Sequence, residues 1–303
     1  MKKKLALILT AAMIAGTLTA CGSSAETATE TEATETTEDT ADAAEETEAA
    51  DTDAQAQTGE LQVITVAATA VPHAEILEAA KPLLAEQGYD LQVTVFDDYV
   101  QPNNVVESGE IDANYFQHIP YLESFNAEQG THLVNVGGIH YEPFGIYAGT
   151  ESDLANVSDG ATIAVPNDTT NEARALLLLQ DNGLITLDED AGINATILDI
   201  EENPHNIEFV ELEAAQVPKV LGEVSFAVIN GNYALDAGLN AKTDALATEE
   251  SDSLAAQTYV NIIAVKEGNE ENEGIKALVN VLKSDEIKKF IEETYEGAVV
   301  PFE

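Results

Sequence analysis

From Leu61 onward, short apolar runs rich in β-branched residues alternate with amphipathic stretches of helical period, which restricts the chain to α/β architectures. Leu61–Ala67, Leu91–Phe96, Ile111–Tyr115 and His132–Val136 read as strands. Ala74–Gln87, Val100–Ser108 and Pro120–Gln129 read as helices that stop at Gly88, Gly109 and Gly130. Phe144–Ala148 carries the chain into a second set: strands at Ala161–Val165, Thr196–Ile200, Ile207–Glu211, Phe226–Asn230 and Thr258–Val265, and helices at Thr170–Asn182, Ala214–Leu221 and Glu271–Tyr295. This alternation predicts parallel sheets with crossover helices in two lobes, 61–145 plus 250–303 and 146–249, with the return crossing near 240–260. Ligands of open α/β sheets lie beyond the carboxyl ends of strands and at domain interfaces. Polar and aromatic clusters stand at those ends: Phe96-Asp97-Asp98-Tyr99, Tyr115-Phe116-Gln117-His118, Val165-Pro166-Asn167 and Ile229-Asn230-Gly231-Asn232-Tyr233. They predict a cleft.

Upstream of Leu61 nothing resembles a folding unit. Met1-Lys2-Lys3-Lys4 precedes an interrupted apolar run from Leu5 to Ala20, too short for a comfortable membrane span but suited to a signal peptide over residues 1–20. The run ends in Leu18-Thr19-Ala20-Cys21-Gly22, which resembles the lipobox of bacterial lipoproteins and implies cleavage before Cys21 and lipidation of its sulfur. Cys21 is the only cysteine, which argues against a disulfide framework, a thiol nucleophile or a cysteine metal site. Gly22–Glu60 holds no aromatic, Lys or Arg and has too little apolar surface to offset its ordering entropy. It is expected to be a disordered acidic tether of at least about 35 Å, attached through the lipid to the extracytoplasmic face of a cell membrane.

The formal net charge is −44. Gly22–Glu60 holds 13 of the acidic residues, leaving 43 acids against nine bases in residues 61–303. So acidic a surface excludes nucleic acid as a partner, because neutralising phosphate takes basic surface. It also disfavours small anions and favours a ligand without net charge.

Within that acidic chain Arg174 is the only arginine. Thr169 and Glu172 fit a capping box, so the spacing predicts a helix that begins there with Arg174 just inside it. A guanidinium near the positive end of a helix dipole is unfavourable unless an anion joins them. Free N–H groups, the dipole and a forked cation suit a carboxylate or a phosphate, and the pattern alone leaves both open.

Several longer stretches together carry a family resemblance. They are Val71-Pro72-His73-Ala74-Glu75-Ile76-Leu77, Asp98-Tyr99-Val100-Gln101-Pro102-Asn103, Asp112-Ala113-Asn114-Tyr115-Phe116-Gln117-His118, Pro166–Gln180, Ala227–Ala234, and Lys288-Lys289-Phe290-Ile291 with Gly297–Pro301. In these the chain resembles the methionine-binding lipoproteins of ABC importers, the MetQ/NlpA family, over essentially all of residues 61–303. The resemblance implies a two-lobed type II periplasmic-binding-protein fold that closes on L-methionine or a close relative and docks on an ABC permease with its ATPase, without catalysis, cofactor or metal. It places the carboxylate-binding role on Arg174, with Asn171 one turn earlier on the same helix. It makes Tyr99, Phe116, His118 and Tyr121 the side-chain pocket, which suits a polarizable thioether. Asn230 is implied as a polar contact, its amide able to accept from an ammonium while donating to a carboxylate. Asn232 and Asn261 are weaker candidates, and His73 is expected to shape its lobe. A zwitterion also meets the charge argument, being neutral overall while presenting a carboxylate to the one arginine.

The alternatives are a zinc or manganese receptor of an ABC importer and, less favoured, an enzyme on the same fold. His73, His118, His132, His140 and His205 show no paired metal-ligand spacing along the chain. No Gly-x-Ser-x-Gly elbow or phosphate-cradling glycine loop is present.

Overall fold

The computed structural model describes residues 60–249 and 257–302. The expected signal peptide, Cys21 and the acidic tether lie outside the described residues. Thirteen strands and seven α-helices are described, with short 3-10 and π turns between them. The first sheet has the strand order β13-β4-β12-β3-β1-β2, formed by β1 (Gln62–Ala68), β2 (Tyr89–Val95), β3 (Ala113–His118), β4 (Leu133–Tyr141), β12 (Val260–Lys266) and β13 (Val300–Pro301). The second has the order β11-β5-β10-β6-β9, formed by β5 (Gly145–Ala148), β6 (Thr162–Pro166), β9 (Glu208–Leu212), β10 (Phe226–Ile229) and β11 (Ala245–Thr248). Thr186–Leu187 (β7) and Ile200–Glu202 (β8) make a small antiparallel ribbon.

Each sheet has its own core, and the molecule is a two-lobed α/β protein. Ile64, Val66, Ile76, Leu77 and Leu84 pack together in the first lobe, where α1 (Glu75–Ala85) covers the sheet. Phe144, Ile146, Ile163, Leu176 and Leu179 pack in the second, where the buried stripe of α4 (Thr169–Asp181) covers β6 and β10.

The sheets are mixed rather than all parallel. β1 pairs in parallel with β2 and β3, and β6 with β9 and β10, as strand–helix alternation requires. The antiparallel pairs, β12 with β3 and β4, and β5 with β10 and β11, involve the strands flanking the two crossings between sheets, near residues 142–144 and 249–259.

Three local expectations need correcting. Glu271–Tyr295 is two helices, α6 (Glu273–Leu282) and α7 (Asp285–Tyr295), because Ser284 stops one helix and its side chain accepts from Ile287 N–H to cap the next. Thr196–Ile200 is mostly a 3-10 turn, since Thr196 and Asp199 form a capping box that outcompetes the ladder. Ala214–Val220 is a 3-10 rather than an α-helix, with Pro218 inside it unable to donate an α-helical hydrogen bond. Among the described residues no helix is long and apolar enough to cross a membrane.

Candidate functional site

Residues from both lobes line a small cavity of about 20 Å³, tightly closed in this structure: Tyr99, Phe116, Gln117, His118 and Tyr121, Glu142, Asn171 and Arg174, Asn230, Gly231 and Asn232, and Asn261. All seven residues expected from the sequence border it. Phe116 and His118 lie on β3, which is buried along its whole length and delivers them at its carboxyl end. Tyr121 stands on α3 (Ile119–Gln129), which begins where β3 stops. Tyr99 follows β2 and packs against Phe116 and Tyr121, each at a ring-centroid distance of 5.7 Å, forming one aromatic wall. Its hydroxyl donates to Asn232 Oδ1 at 2.5 Å and so bridges the lobes.

His118 does two structural jobs at this wall. Its Nδ1 accepts from Tyr121 N–H, capping α3, and its Nε2 lies 3.1 Å from Asn171 Oδ1 in the other lobe. Burial, followed by the nearby Arg174 charge, lowers its pKa to about 3. The ring is therefore neutral, with Nε2–H donating to Asn171.

The start of α4 differs from the expected capping box. Asp168, one residue earlier, is the cap: its side chain accepts from Asn171 N–H, while Thr169 donates to Glu128 and Glu172 accepts from Ile197 N–H. A carboxylate at this position meets both the orphan N–H groups and the helix dipole. Asp168 also accepts from Asn171 Nδ2 at 2.8 and 3.1 Å. Asn171 Oδ1 accepts from His118 and, at 2.8 Å, from Asn230 Nδ2. The hydrogen-bonding atoms of the Asn171 side chain are thus engaged within the protein, and it joins the two lobes as a hub rather than presenting a free amide.

Arg174 is buried, not solvated, at 4% exposure. Its Nε and Nη2 face Glu249 at 2.8 and 2.5 Å, and Nη2 also donates to the Glu142 carbonyl at 2.9 Å. Nε and Nη2 are thus engaged by protein oxygens. The guanidinium carbon lies 4.3 Å from the Tyr259 ring centre, 4.9 Å from Phe144 and 5.7 Å from Tyr141. Burial works against its charge, but the Glu249 carboxylate more than offsets that and holds the group above the usual arginine range. Glu249 is reciprocally held below the usual carboxylate range despite its burial, through Arg174, Tyr141 OH and Phe144 N–H. The forked edge expected to face a ligand anion is thus already matched by a carboxylate of the protein.

A second carboxylate forms the site's other pole, on a residue whose main-chain carbonyl meets Arg174 Nη2. Glu142, in the first crossing between lobes, is buried and lines the cavity. Its Oε1 lies 2.8 Å from His140 Nε2 and 3.5 Å from His73 Nε2. Gly231 permits this approach, since a Cβ there would come within 2.7 Å of the Glu142 Cβ. Burial lowers His73 to about 4 and His140 to about 3, and raises Glu142. His73, His140 and Glu142, silent as a metal pattern along the chain, thus gather donor atoms within 4.8 Å of one another. Protons alone satisfy them: each ring nitrogen has a hydroxyl, amide or carboxylate partner.

On the same cavity lining, Asn230 Oδ1 is buried without a hydrogen-bond partner. Gln117 is fixed from behind by Asn103 and Asn114, a buried amide triad. Glu142 and Glu249 are not legible as site residues, because in a chain with 56 acids no single carboxylate stands out. The one available signal for Glu142 is its place in the polar-aromatic segment between two apolar runs, Ile139–Phe144.

Comparison with known proteins bears directly on this arrangement. The NlpA lipoprotein family profile matches residues 64–303. The methionine-binding lipoprotein MetQ of Bacillus subtilis strain 168 is 47% identical over 252 residues, covering 81% of this chain and 90% of the relative. A solved chain from Ruminococcus gnavus ATCC 29149 is 71% identical with a TM-score of 0.79, covering 80% of this chain and all of the other. A nutrient-binding protein from Burkholderia cenocepacia, solved bound to methionine, is 42% identical with a TM-score of 0.75, over 78% of this chain and 99% of the other. Matching nearly end to end in its folded part, with the cavity inside the matched region, the chain belongs to the NlpA lipoprotein family.

Proposed function

We propose that this protein is a lipid-anchored, extracytoplasmic carrier that captures methionine between its lobes, 61–145 with 250–303 and 146–249, and delivers it to an ABC permease and its ATPase. The observation that carries the reading is the buried, unpartnered Asn230 Oδ1, on a residue that lines the same cavity as Glu142. A buried carbonyl without a donor costs about 1–3 kcal/mol, and in a cavity that also holds a carboxylate the donor that suits both is an ammonium. Arg174 Nη1, held by the Glu249 pair, is the counterpart for the ligand carboxylate, and the two poles together select a zwitterion. Tyr99, Phe116 and Tyr121 supply the wall for a thioether, each sulfur–aromatic contact being worth about 0.3–1.5 kcal/mol. The names of the B. subtilis and B. cenocepacia relatives point the same way. Hydrogen bonds across the cleft, Tyr99 to Asn232 and His118 to Asn171, give closure a means of coupling capture to recognition by the permease.

Isothermal titration tests the reading. L-Methionine is expected to bind, N-acetyl-L-methionine to fail, and Asn230→Ala to weaken methionine about tenfold or more. Equal binding of both ligands would remove the ammonium argument, and heat release with zinc but not with methionine would favour the metal receptor. Methionine recovered unaltered after incubation distinguishes a carrier from an enzyme, and D-methionine titrated in parallel fixes the enantiomer.

A further inference from the structure

Behind Glu142 lies a hydrogen-bond network that the proposed capture of methionine does not by itself require. Asn261 Oδ1, which only accepts, stands 3.0 Å from His73 Nε2, so that nitrogen carries the proton and Nδ1 accepts from Thr69 Oγ at 2.8 Å. His140 follows the same pattern. Tyr115 OH is 2.5 Å from Nδ1, and the phenol, buried and holding its proton well above the ordinary range, donates to it. Nε2–H then donates to Glu142 at 2.8 Å, and Asn232 N–H also donates to the carboxylate. His140 and His73 are both essentially inaccessible, at 0% and 1% exposure, and their rings lie 5.0 Å apart.

The arrangement solves a specific problem. A lysine or arginine in these positions would orient Glu142 equally well but would cancel its charge before a ligand arrived. A neutral histidine donates a strong hydrogen bond to an ionised carboxylate and adds no charge of its own. A hydroxyl donating to Nδ1 fixes which nitrogen carries the proton, much as outer partners fix histidine tautomers at metal sites.

We infer that His140, its tautomer locked by Tyr115, is a positioning residue that aims the Glu142 carboxylate into the cavity, and so sets the preference for ligands with a free α-ammonium. The inference rests on methionine being the ligand, with Glu142 as its ammonium partner.

The test compares the affinity of the purified protein for L-methionine and for 4-(methylthio)butanoate, which is methionine without its amino group. Wild type is expected to prefer methionine by about a hundredfold, from a charge-assisted contact to Glu142 and a second contact to Asn230. His140→Leu should narrow that ratio about tenfold while leaving affinity for the butanoate nearly unchanged, and Tyr115→Phe should narrow it by a few-fold. His140→Gln, whose amide N–H reaches the Nε2 position, should restore most of the ratio. Parallel weakening of both ligands in Tyr115→Phe and His140→Leu would overturn the inference, since that is what a merely structural role produces. An unchanged ratio in Tyr115→Phe and His140→Leu would also overturn it, and Tyr115→Phe decides alone if His140→Leu does not fold. Failure of the wild type to bind methionine is a different result, which removes the underlying reading before any variant is compared.

Discussion

The two poles of the cavity hold buried charge in opposite ways. At the Arg174 pole a full ion pair with Glu249 sits inside three aromatic rings, and each partner moves the other's pKa further into the charged range. At the Glu142 pole the carboxylate is held by neutral donors, and burial pushes its pKa up. The first arrangement makes a rigid, electrically balanced support. The second keeps an uncompensated charge available, with less resistance to protonation. A site that must recognise both ends of a zwitterion in a strongly acidic protein needs this asymmetry: its single arginine has to be kept in place, and its acceptor has to remain unspent.

Breaking the ion pair should give the largest effect. Arg174→Leu leaves Glu249 buried with no counter-charge, a situation that costs about 3–5 kcal/mol. Chemical denaturation should show that loss, and titration should show loss of methionine binding. Adding Glu249→Leu should recover most of the stability and none of the binding. Recovery of both would mean that the pair is scaffold alone and that Nη1 has no part in recognition.

The next effect comes from the neutral histidines. His73, His118 and His140 have folded pKa values of about 4, 3 and 3, against 6.5 in the unfolded chain. Below pH 6.5 the unfolded chain takes up protons that the folded protein refuses. Stability is therefore fully present above 6.5 and falls as the pH drops toward 4, by up to about 1.4 kcal/mol per pH unit for each histidine. Glu142, with its raised pKa, acts in the opposite sense, because the folded state protonates first as the pH falls. Urea unfolding at pH 7, 6 and 5 should show this decline, and His140→Gln should flatten it by about one proton. An unaltered slope would mean that His140 is already charged, and the contrast between the poles would collapse.

Much of this contrast was hidden in the sequence for identifiable reasons. Strand–helix alternation makes the α/β class and most element positions legible, because period and turn chemistry are local. Arg174 stands out by its rarity, the strand-end clusters contain Tyr99, Phe116, His118 and Asn230, and Tyr121 enters through the family resemblance. What stays illegible depends on contacts between distant segments. Glu249 meets Arg174 from 75 positions away, and His73 meets Asn261 from 188 away. Asn171 is legible as a site residue but not as a hub, since its partners His118 and Asn230 come from other elements. The antiparallel strands are hidden for the same reason: direction on re-entry is set by the crossing between lobes, which leaves no period.

The smallest expected effect probes a carboxylate of the Glu142 kind. Asp168 is held by neutral donors only, Asn171 N–H and Nδ2 and the Thr170 hydroxyl, and burial raises its pKa. It caps α4 and, through Asn171, orients Asn230. Asp168→Ala removes the cap and should cost about 1 kcal/mol, seen as a fall of about 2–4 °C in Tm. Asp168→Asn is the more informative variant. Asparagine caps a helix as well as aspartate does, so Tm should stay near wild type. One of its two acceptor oxygens is lost, however, and Asn171 Nδ2 uses both. The Asn171–Asn230 contact should loosen, and methionine affinity should fall by a few-fold with stability preserved. Wild-type affinity in this variant would show that Asn230 is oriented by its own turn at Gly231, and that the neutral-donor design is confined to Glu142.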